Sequence, residues 1–146
     1  MIHSYLVFLL SGRLFGVRLL GAIEILPWRR SRSVPLSYPS LEGLIDYRGA
    51  IYPIFNIGRR LGMNGMGPTV GAPAQAETAQ SIILLEENKM LFGITVDSVV
   101  KMAKLEEPSA PPEKAQGVEM KYIQGVVYEE DQEILLVDFE RLLHAG

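Results

Sequence analysis

Three aspartates are the acids nearest the apolar runs of the sequence and its best candidates for acid–base chemistry: Asp46, Asp97 and Asp138. Two carboxyl groups held roughly 5–9.5 Å apart would suit a glycosidase-type mechanism. Alternatively, Asp97 and Asp138 accept backbone N–H bonds at a strand end or a helix start, as short carboxylates do. We favour this structural role. A carboxylate enzyme or a small-ligand-binding barrel centred on the three aspartates is the alternative.

Other groups that could do chemistry are sparse. His3 and His144 lie at opposite ends of the chain, where a histidine is usually solvated. The chain has no cysteine, which excludes disulfides, thiolate metal sites and a cysteine nucleophile. No Gly-x-Ser-x-Gly elbow or phosphate-binding Gly-rich loop occurs, and the acids lack the dense spacing of a metal-binding loop. We therefore predict a protein that is not an enzyme, with no catalytic residues, no cofactor and no metal.

Arg48 and Glu24 are better candidates for binding than for catalysis. Arg48 precedes Gly49, which permits a tight turn that presents the arginine away from a core face. Its guanidinium carries five donors in a rigid fork suited to carboxylates. Glu24 lies between two isoleucines and so faces away from their side of the strand. The residues leave two explanations of Arg48 open: a local salt bridge to Asp46 or Glu24, and contact with a partner.

The charge of the chain argues against nucleic acid and lipid as partners. Its 146 residues carry a net charge of −3, so no overall basic field attracts either. One basic run, Arg29-Arg30-Ser31-Arg32, follows Trp28, and we interpret it as a solvated loop. A nucleic-acid binder that uses this run is a third hypothesis. The apolar start of the chain is too short for a membrane span and lacks the flanks of a signal peptide, so we expect a cytoplasmic protein.

Short apolar runs separated by turn residues predict a series of β-hairpins that must position these side chains. Asp138 is a candidate N-cap for a short helix over residues 139–144. Residues 63–80 are rich in Gly, Ala and Pro and predict a mobile connector. The predicted strand pairs are 5–10 with 14–19, 44–47 with 51–57, 81–85 with 90–96, and 122–128 with 134–137.

The sequence also repeats itself in two blocks, each with its own constant offset. In the first block, Phe15-Gly16-Val17 recurs as Phe92-Gly93-Ile94, and we call this spacing the first offset. In the second block, Gly43-Leu44-Ile45 recurs as Gly125-Val126-Val127, and we call this slightly longer spacing the second offset. A repeat this long, with one offset in each block, indicates two related units. Many short strands separated by turns favour small barrels over a sandwich.

One segment of the first unit resembles a known signature. Residues 43–57 read GLIDYRGAIYPIFNI, which is similar to the CheW-like signature, where Gly-Val-Ile-Asn-Leu-Arg-Gly leads to Val-Pro-Val-Ile-Asp-Leu. The resemblance covers essentially residues 5–143. The supporting matches are Phe15-Gly16-Val17, Ile23-Glu24-Ile25, residues 92–99, residues 122–126, Leu135-Leu136-Val137-Asp138 and Leu142-Leu143.

The resemblance implies an all-β fold with short helices. It implies two five-stranded, SH3-like barrels, pseudo-duplicated and sharing a hydrophobic seam. Residues 1–146 then form a single CheW-like domain. We expect subdomain one over about 14–80 and subdomain two over about 81–137, with the N-terminal strand and the C-terminal segment as candidates for crossing between them.

The resemblance further implies a non-enzymatic adaptor that couples chemoreceptors to a CheA-type histidine kinase in chemotaxis or a related pathway. Its partners would be the kinase regulatory domain, packed barrel to barrel, and the receptor's cytoplasmic tip. Such an adaptor is cytoplasmic and recruited to receptor arrays. The positions carried over as partner-binding are Glu24, Gly43, Asp46 and Arg48. Asp46 replaces the signature's Asn, and Asn56 its Asp, so we expect Asp46 to pair with Arg48 and retune partner contact.

Overall fold

Ten strands and three short helices make up the described part of the chain. The computed structural model describes residues 2–19, 23–32, 41–61, 80–87, 89–113 and 118–144. The predicted connector therefore lies outside these residues except for its last position. The elements are β1 (His3–Leu10), β2 (Arg13–Arg18), β3 (Ile23–Pro27), β4 (Leu41–Tyr47), β5 (Ala50–Phe55), α1 (Ile57–Arg60), β6 (Ser81–Glu87), β7 (Met90–Val96), β8 (Ser98–Leu105), a 3-10 helix (Met120–Tyr122), β9 (Ile123–Glu129), β10 (Gln132–Val137) and α2 (Phe139–His144).

The predicted hairpins are confirmed, and two-residue turns close three of them. In each turn both residues have positive φ: 50° and 80° at Ser11-Gly12, 49° and 82° at Arg48-Gly49, and 50° and 64° at Glu130-Asp131. Two successive left-handed residues match the right-handed twist of the flanking strands, which fixes the register of each hairpin. Local chemistry thus determines where the chain reverses.

The strands form two five-stranded sheets. One sheet has the order β8-β1-β2-β10-β9, and the other has the order β3-β6-β7-β5-β4. Each sheet therefore combines strands from both repeats. The β1–β2 hairpin lies in one sheet with β8, β9 and β10, and the β6–β7 hairpin lies in the other with β3, β4 and β5. The two sheets therefore do not coincide with the predicted subdomains, which divide the chain at residue 80. The subdomain boundaries stay a prediction. We name the sheets by their first strands, the β8 sheet and the β3 sheet.

The sequence repeat reappears in the pairing of the strands. When β1–β5 are matched to β6–β10, both sheets have the same strand order. In the β8 sheet, Leu136 of β10 lies beside Gly16 of β2 in a parallel pair. In the β3 sheet, Ile54 lies beside Gly93 in the equivalent pair. The two related units predicted from the offsets thus contribute equivalent strands to two sheets with the same topology.

Apolar side chains from both sheets form one shared core. On β1, Leu6 and Phe8 belong to this core, whereas Val7 faces a second cluster within the β8 sheet. On β6, Ile83 belongs to the shared core and Leu84 to a third cluster within the β3 sheet. Both strands are therefore buried on both faces and read as continuous apolar runs. The shared core comprises Leu6, Phe8, Leu10, Phe15, Val17, Ile57, Leu61, Ile83, Leu85, Phe92, Ile94, Val96, Tyr122, Ile123, Val126, Leu135, Val137, Phe139 and Leu142.

Truncation of the shared core should destabilise both sheets at once. Phe92 is 1% exposed and packs edge-to-face on Phe139, with ring centroids 5.5 Å apart. We expect Phe92→Ala to lower the free energy of unfolding by about 3–5 kcal/mol because it opens a buried cavity. Urea unfolding followed by far-UV circular dichroism and tryptophan fluorescence should give coincident transitions. The control Met102→Ala removes a side chain that is 68% exposed and should change stability by less than about 0.5 kcal/mol. Two separated transitions would contradict a shared core.

Candidate functional site

The β4–β5 turn presents Arg48 at one end of the β3 sheet. Its guanidinium lies over the ring of Tyr47, with the central carbon 5.1 Å from the ring centroid. One guanidinium nitrogen lies 3.3 Å from a carboxylate oxygen of Glu24 on β3. Because β3 and β4 are the two edges of the sheet, this ion pair spans the edges that a barrel brings together. The local salt bridge between Arg48 and Glu24, one of the two explanations left open, is therefore present.

Asp46 pairs with a different arginine from the one expected. Its carboxylate lies 3.2 Å from a guanidinium nitrogen of Arg32, and its backbone oxygen accepts a 2.8 Å hydrogen bond from Arg29. The expected pairing of Asp46 with Arg48 is wrong. Tyr47 lies between them and packs against the internal cluster of the β3 sheet, so Asp46 faces the opposite side of the strand. Arg48 instead folds back over the Tyr47 ring.

Gly43 allows the basic loop to lie along the free edge of β4. A Cβ at this position would lie 2.2 Å from the backbone oxygen of Arg32 and 2.5 Å from the hydroxyl of Ser31, closer than real Cβ contacts. An antiparallel bridge of two backbone hydrogen bonds fixes this position: Arg32 N–H donates to the carbonyl of Leu44 at 2.8 Å, and Leu44 N–H donates to the carbonyl of Arg32 at 2.9 Å. Gly43 is thus a positioning residue that holds Arg32 within reach of Asp46.

The basic run is exposed, as a solvated loop would be, but Arg29 and Arg32 are held by defined contacts that the sequence does not indicate. No local pattern shows that Arg32 pairs with the edge of β4, since Gly43 and Arg32 are not neighbours along the chain. We call the surface formed by Glu24, Arg29, Arg30, Arg32, Asp46 and Arg48 the arginine end. It carries four guanidinium groups against two carboxylates.

Exposed apolar side chains accompany the arginine end. Ile51, paired in register with Asp46 and so on the same face of the sheet, is 53% exposed. Ile25 follows Glu24 on β3 and is 40% exposed, with its side chain on the other face of that strand. Trp28 immediately precedes the basic run and is 38% exposed. Arginine and aromatic or aliphatic side chains on one surface are typical of protein–protein contacts. The arrangement can bind a protein partner.

The other two aspartates have structural roles, as predicted. The carboxylate of Asp97 accepts a 2.7 Å hydrogen bond from the backbone N–H of Ser11 in the β1–β2 turn. Asp138 caps α2, since its carboxylate accepts from the backbone N–H of Arg141 at 3.2 Å. Together with Asp46 on the arginine end, the three aspartates serve three separate sets of contacts.

Metal-binding clusters and membrane-spanning helices are both absent from the described residues. These residues contain no cluster of three or more His, Asp or Glu side chains that could hold a metal ion. In the same part of the chain, no helix is long and apolar enough to cross a membrane.

Comparison with known proteins gives a consistent result. The family model described as "CheW-like domain" matches residues 4–146. The chain is similar to the chemotaxis protein CheW of Treponema pallidum, with 25% identity over 137 residues, covering 92% of this chain and 78% of that protein. It is similar to the CheW of Rhizobium meliloti, with 26% identity over 140 residues, covering 94% and 85%. The fold is similar to the crystal structure of the scaffolding protein TtCheW from Thermoanaerobacter tengcongensis, with a TM-score of 0.81 and 22% identity, covering 100% and 90%.

A methyl group at Gly43 should detach the basic loop. We expect Gly43→Ala to abolish the hydrogen-exchange protection of the Arg32 and Leu44 amides, because the added Cβ cannot share space with the Arg32 carbonyl. The matched control is Gly125→Ala on β9, whose Cβ would lie 3.0 Å from the backbone oxygen of Ser109. That variant should affect the amides of Ser109 and its own strand and leave Arg32 protected. Unchanged protection of Arg32 in Gly43→Ala would refute the positioning role.

Proposed function

The chain belongs to the CheW-like domain family, and from that premise we propose that it couples chemoreceptors to a CheA-type histidine kinase through the arginine end. It is a non-enzymatic scaffold of the chemotaxis type, like the proteins of its family. The observation that supports the arginine end as its contact surface is the convergence of Glu24, Asp46 and Arg48 there. Gly43 belongs to the same surface through the loop that it positions.

The ion pairs of the arginine end leave their groups available to a partner. The side chain of Arg48 is 74% exposed and that of Glu24 is 44% exposed. Exposed pairs of this kind contribute about 0–1 kcal/mol to stability, so a partner can replace them at little cost. The pair therefore orients the guanidinium without consuming its capacity for bidentate contact.

Two partners follow from the coupling role, and the proposal assigns each a kind of surface. The regulatory domain of the kinase packs against a barrel through exposed side chains such as Ile51 and Arg48. The cytoplasmic tip of the receptor, a helical structure, binds the groove between the two barrels, and Glu24 on β3 is one of the residues assigned to this contact. The protein is cytoplasmic in this proposal and reaches the membrane only by recruitment to receptor arrays.

Charge reversal at the turn tests this assignment. We expect Arg48→Glu to weaken binding of both the kinase regulatory domain and the receptor tip by at least about tenfold, from an unmodified affinity near micromolar or about −8 kcal/mol. The reason is that the new carboxylate would repel Glu24 and that the guanidinium fork would be lost. Isothermal titration calorimetry with each purified partner measures the effect.

The matched control for this test is Arg18→Glu, an exposed arginine of the β8 sheet whose guanidinium contacts His3. It changes the net charge equally and should leave both affinities unchanged. Urea unfolding of Arg48→Glu should stay within about 1 kcal/mol of the unmodified protein, because the lost pair is exposed. Unchanged binding of both partners would show that the assigned surface is wrong.

A further inference from the structure

Two guanidinium groups of the arginine end contact the same tyrosine ring. The central carbon of the Arg48 guanidinium lies 5.1 Å from the centroid of the Tyr47 ring, and that of Arg29 lies 6.0 Å from the same centroid. At these distances the face of an aromatic ring attracts a cation. The two arginines belong to separate segments, the basic run and the β4–β5 turn, so the fold brings them to one ring.

Each of the two arginines has a second contact, with an oxygen atom. Arg48 lies 3.3 Å from a carboxylate oxygen of Glu24, and Arg29 donates a 2.8 Å hydrogen bond to the backbone oxygen of Asp46. Like charges that approach one ring repel each other. The attraction of the ring and of the two oxygen atoms offsets this repulsion, and Tyr47 is the contact that the two arginines share.

Packing holds the Tyr47 ring in place. The ring packs against the internal cluster of the β3 sheet and lies edge-to-face with Tyr52 of β5, with ring centroids 6.5 Å apart. Long arginine side chains lose rotamer freedom when a partner orders them, and a contact that orders them before binding reduces this loss. A fixed ring under two guanidinium groups is such a contact.

The CheW-like signature has a leucine where this chain has Tyr47. Its Asn-Leu-Arg-Gly run corresponds to Asp46-Tyr47-Arg48-Gly49. A leucine can fill the same apolar cluster, but it has no aromatic face for a cation. The tyrosine therefore adds to this position a capacity that the packing of the sheet does not require.

We propose that Tyr47 is a positioning residue that holds Arg29 and Arg48 together for carboxylate groups of the kinase regulatory domain. This inference rests on the proposed coupling function and adds to it the chemistry of the partner surface, which is acidic. A guanidinium has five N–H donors in a planar fork, more than the contacts with Glu24 and Asp46 use. The arginine end also carries four guanidinium groups against two carboxylates, so an acidic surface complements it.

Exchange of the ring for the leucine of the signature tests this role. We expect Tyr47→Leu to weaken binding of the kinase regulatory domain at least about fivefold, because the two guanidinium groups lose their shared contact. The matched variant Tyr47→Phe keeps the ring and should retain the affinity within about twofold. Isothermal titration calorimetry measures both, and far-UV circular dichroism checks that both variants are folded.

A variant without the two guanidinium groups separates positioning from packing. In a chain that carries Arg29→Gln and Arg48→Gln, Tyr47→Leu should weaken binding no further, because the ring has no cations left to hold. A loss as large as in the unmodified background would show that the ring acts by itself, which would overturn the proposal.

The acidic partner surface predicts a strong effect of salt. The affinity of the unmodified protein should fall at least about tenfold between about 50 mM and about 500 mM salt, because exposed charges are screened. The variant with Arg29→Gln and Arg48→Gln should lose much less over the same range. An unmodified protein whose affinity does not change with salt contradicts the acidic partner surface.

These results are distinguishable from a failure of the coupling role. If Arg48→Glu weakens binding while Tyr47→Leu binds like Tyr47→Phe, the coupling surface stands and the positioning role of Tyr47 is wrong. If Arg48→Glu changes neither affinity, the assigned surface is wrong and the role of Tyr47 fails with it.

Discussion

The fold depends on one apolar core that two sheets must complete together. Neither sheet alone could shield its core side chains from water, because Phe8 and Phe15 of one sheet and Phe92 of the other belong to the same cluster. The inner strands β1 and β6 face this core with alternate residues and an internal cluster with the rest. Each position on them is therefore fixed by burial, since a one-residue slip would exchange the two apolar sets.

This constraint leaves the sheet edges and the turns as the places where charge can vary. The strands β3 and β8 are edges of their sheets and carry charged side chains outward, Glu24 in one and Lys101 in the other. An edge strand with unpaired backbone groups invites unwanted pairing, which charges on the edge discourage. The same charges join β3 to the Arg48 turn and β8 to the end of β9. The same side chains thus protect the edges and form part of the surface proposed for partner binding.

The sequence predicts the parts of this fold that local chemistry determines. A turn at Arg48-Gly49 requires only a glycine between two apolar runs, and an N-cap at Asp138 only a short carboxylate before a helix. The resemblance names the N-terminal strand and the C-terminal segment as candidates for crossing, but the exchange of whole hairpins could not be predicted, because it depends on contacts between residues far apart in the chain. The pairing of Arg48 required knowing that β3 and the β4–β5 turn meet when the sheet curls. The position of Arg32 required knowing that its loop pairs with the free edge of β4 beside Gly43.

If the two duplicated sheets had identical surfaces, a partner would bind both of them equally well. This chain keeps the duplicated geometry and inverts the charge, from Arg29 and Arg30 to Glu106 and Glu107. The backbone bridges at Arg32 and Ser109 show that the inversion lies on matched positions and not on unrelated loops. Because the shared core fixes the two sheets relative to each other, a partner with one sign of charge can bind only one of them. The two sheets therefore share similar buried side chains, while their surface charges allow a partner to distinguish them.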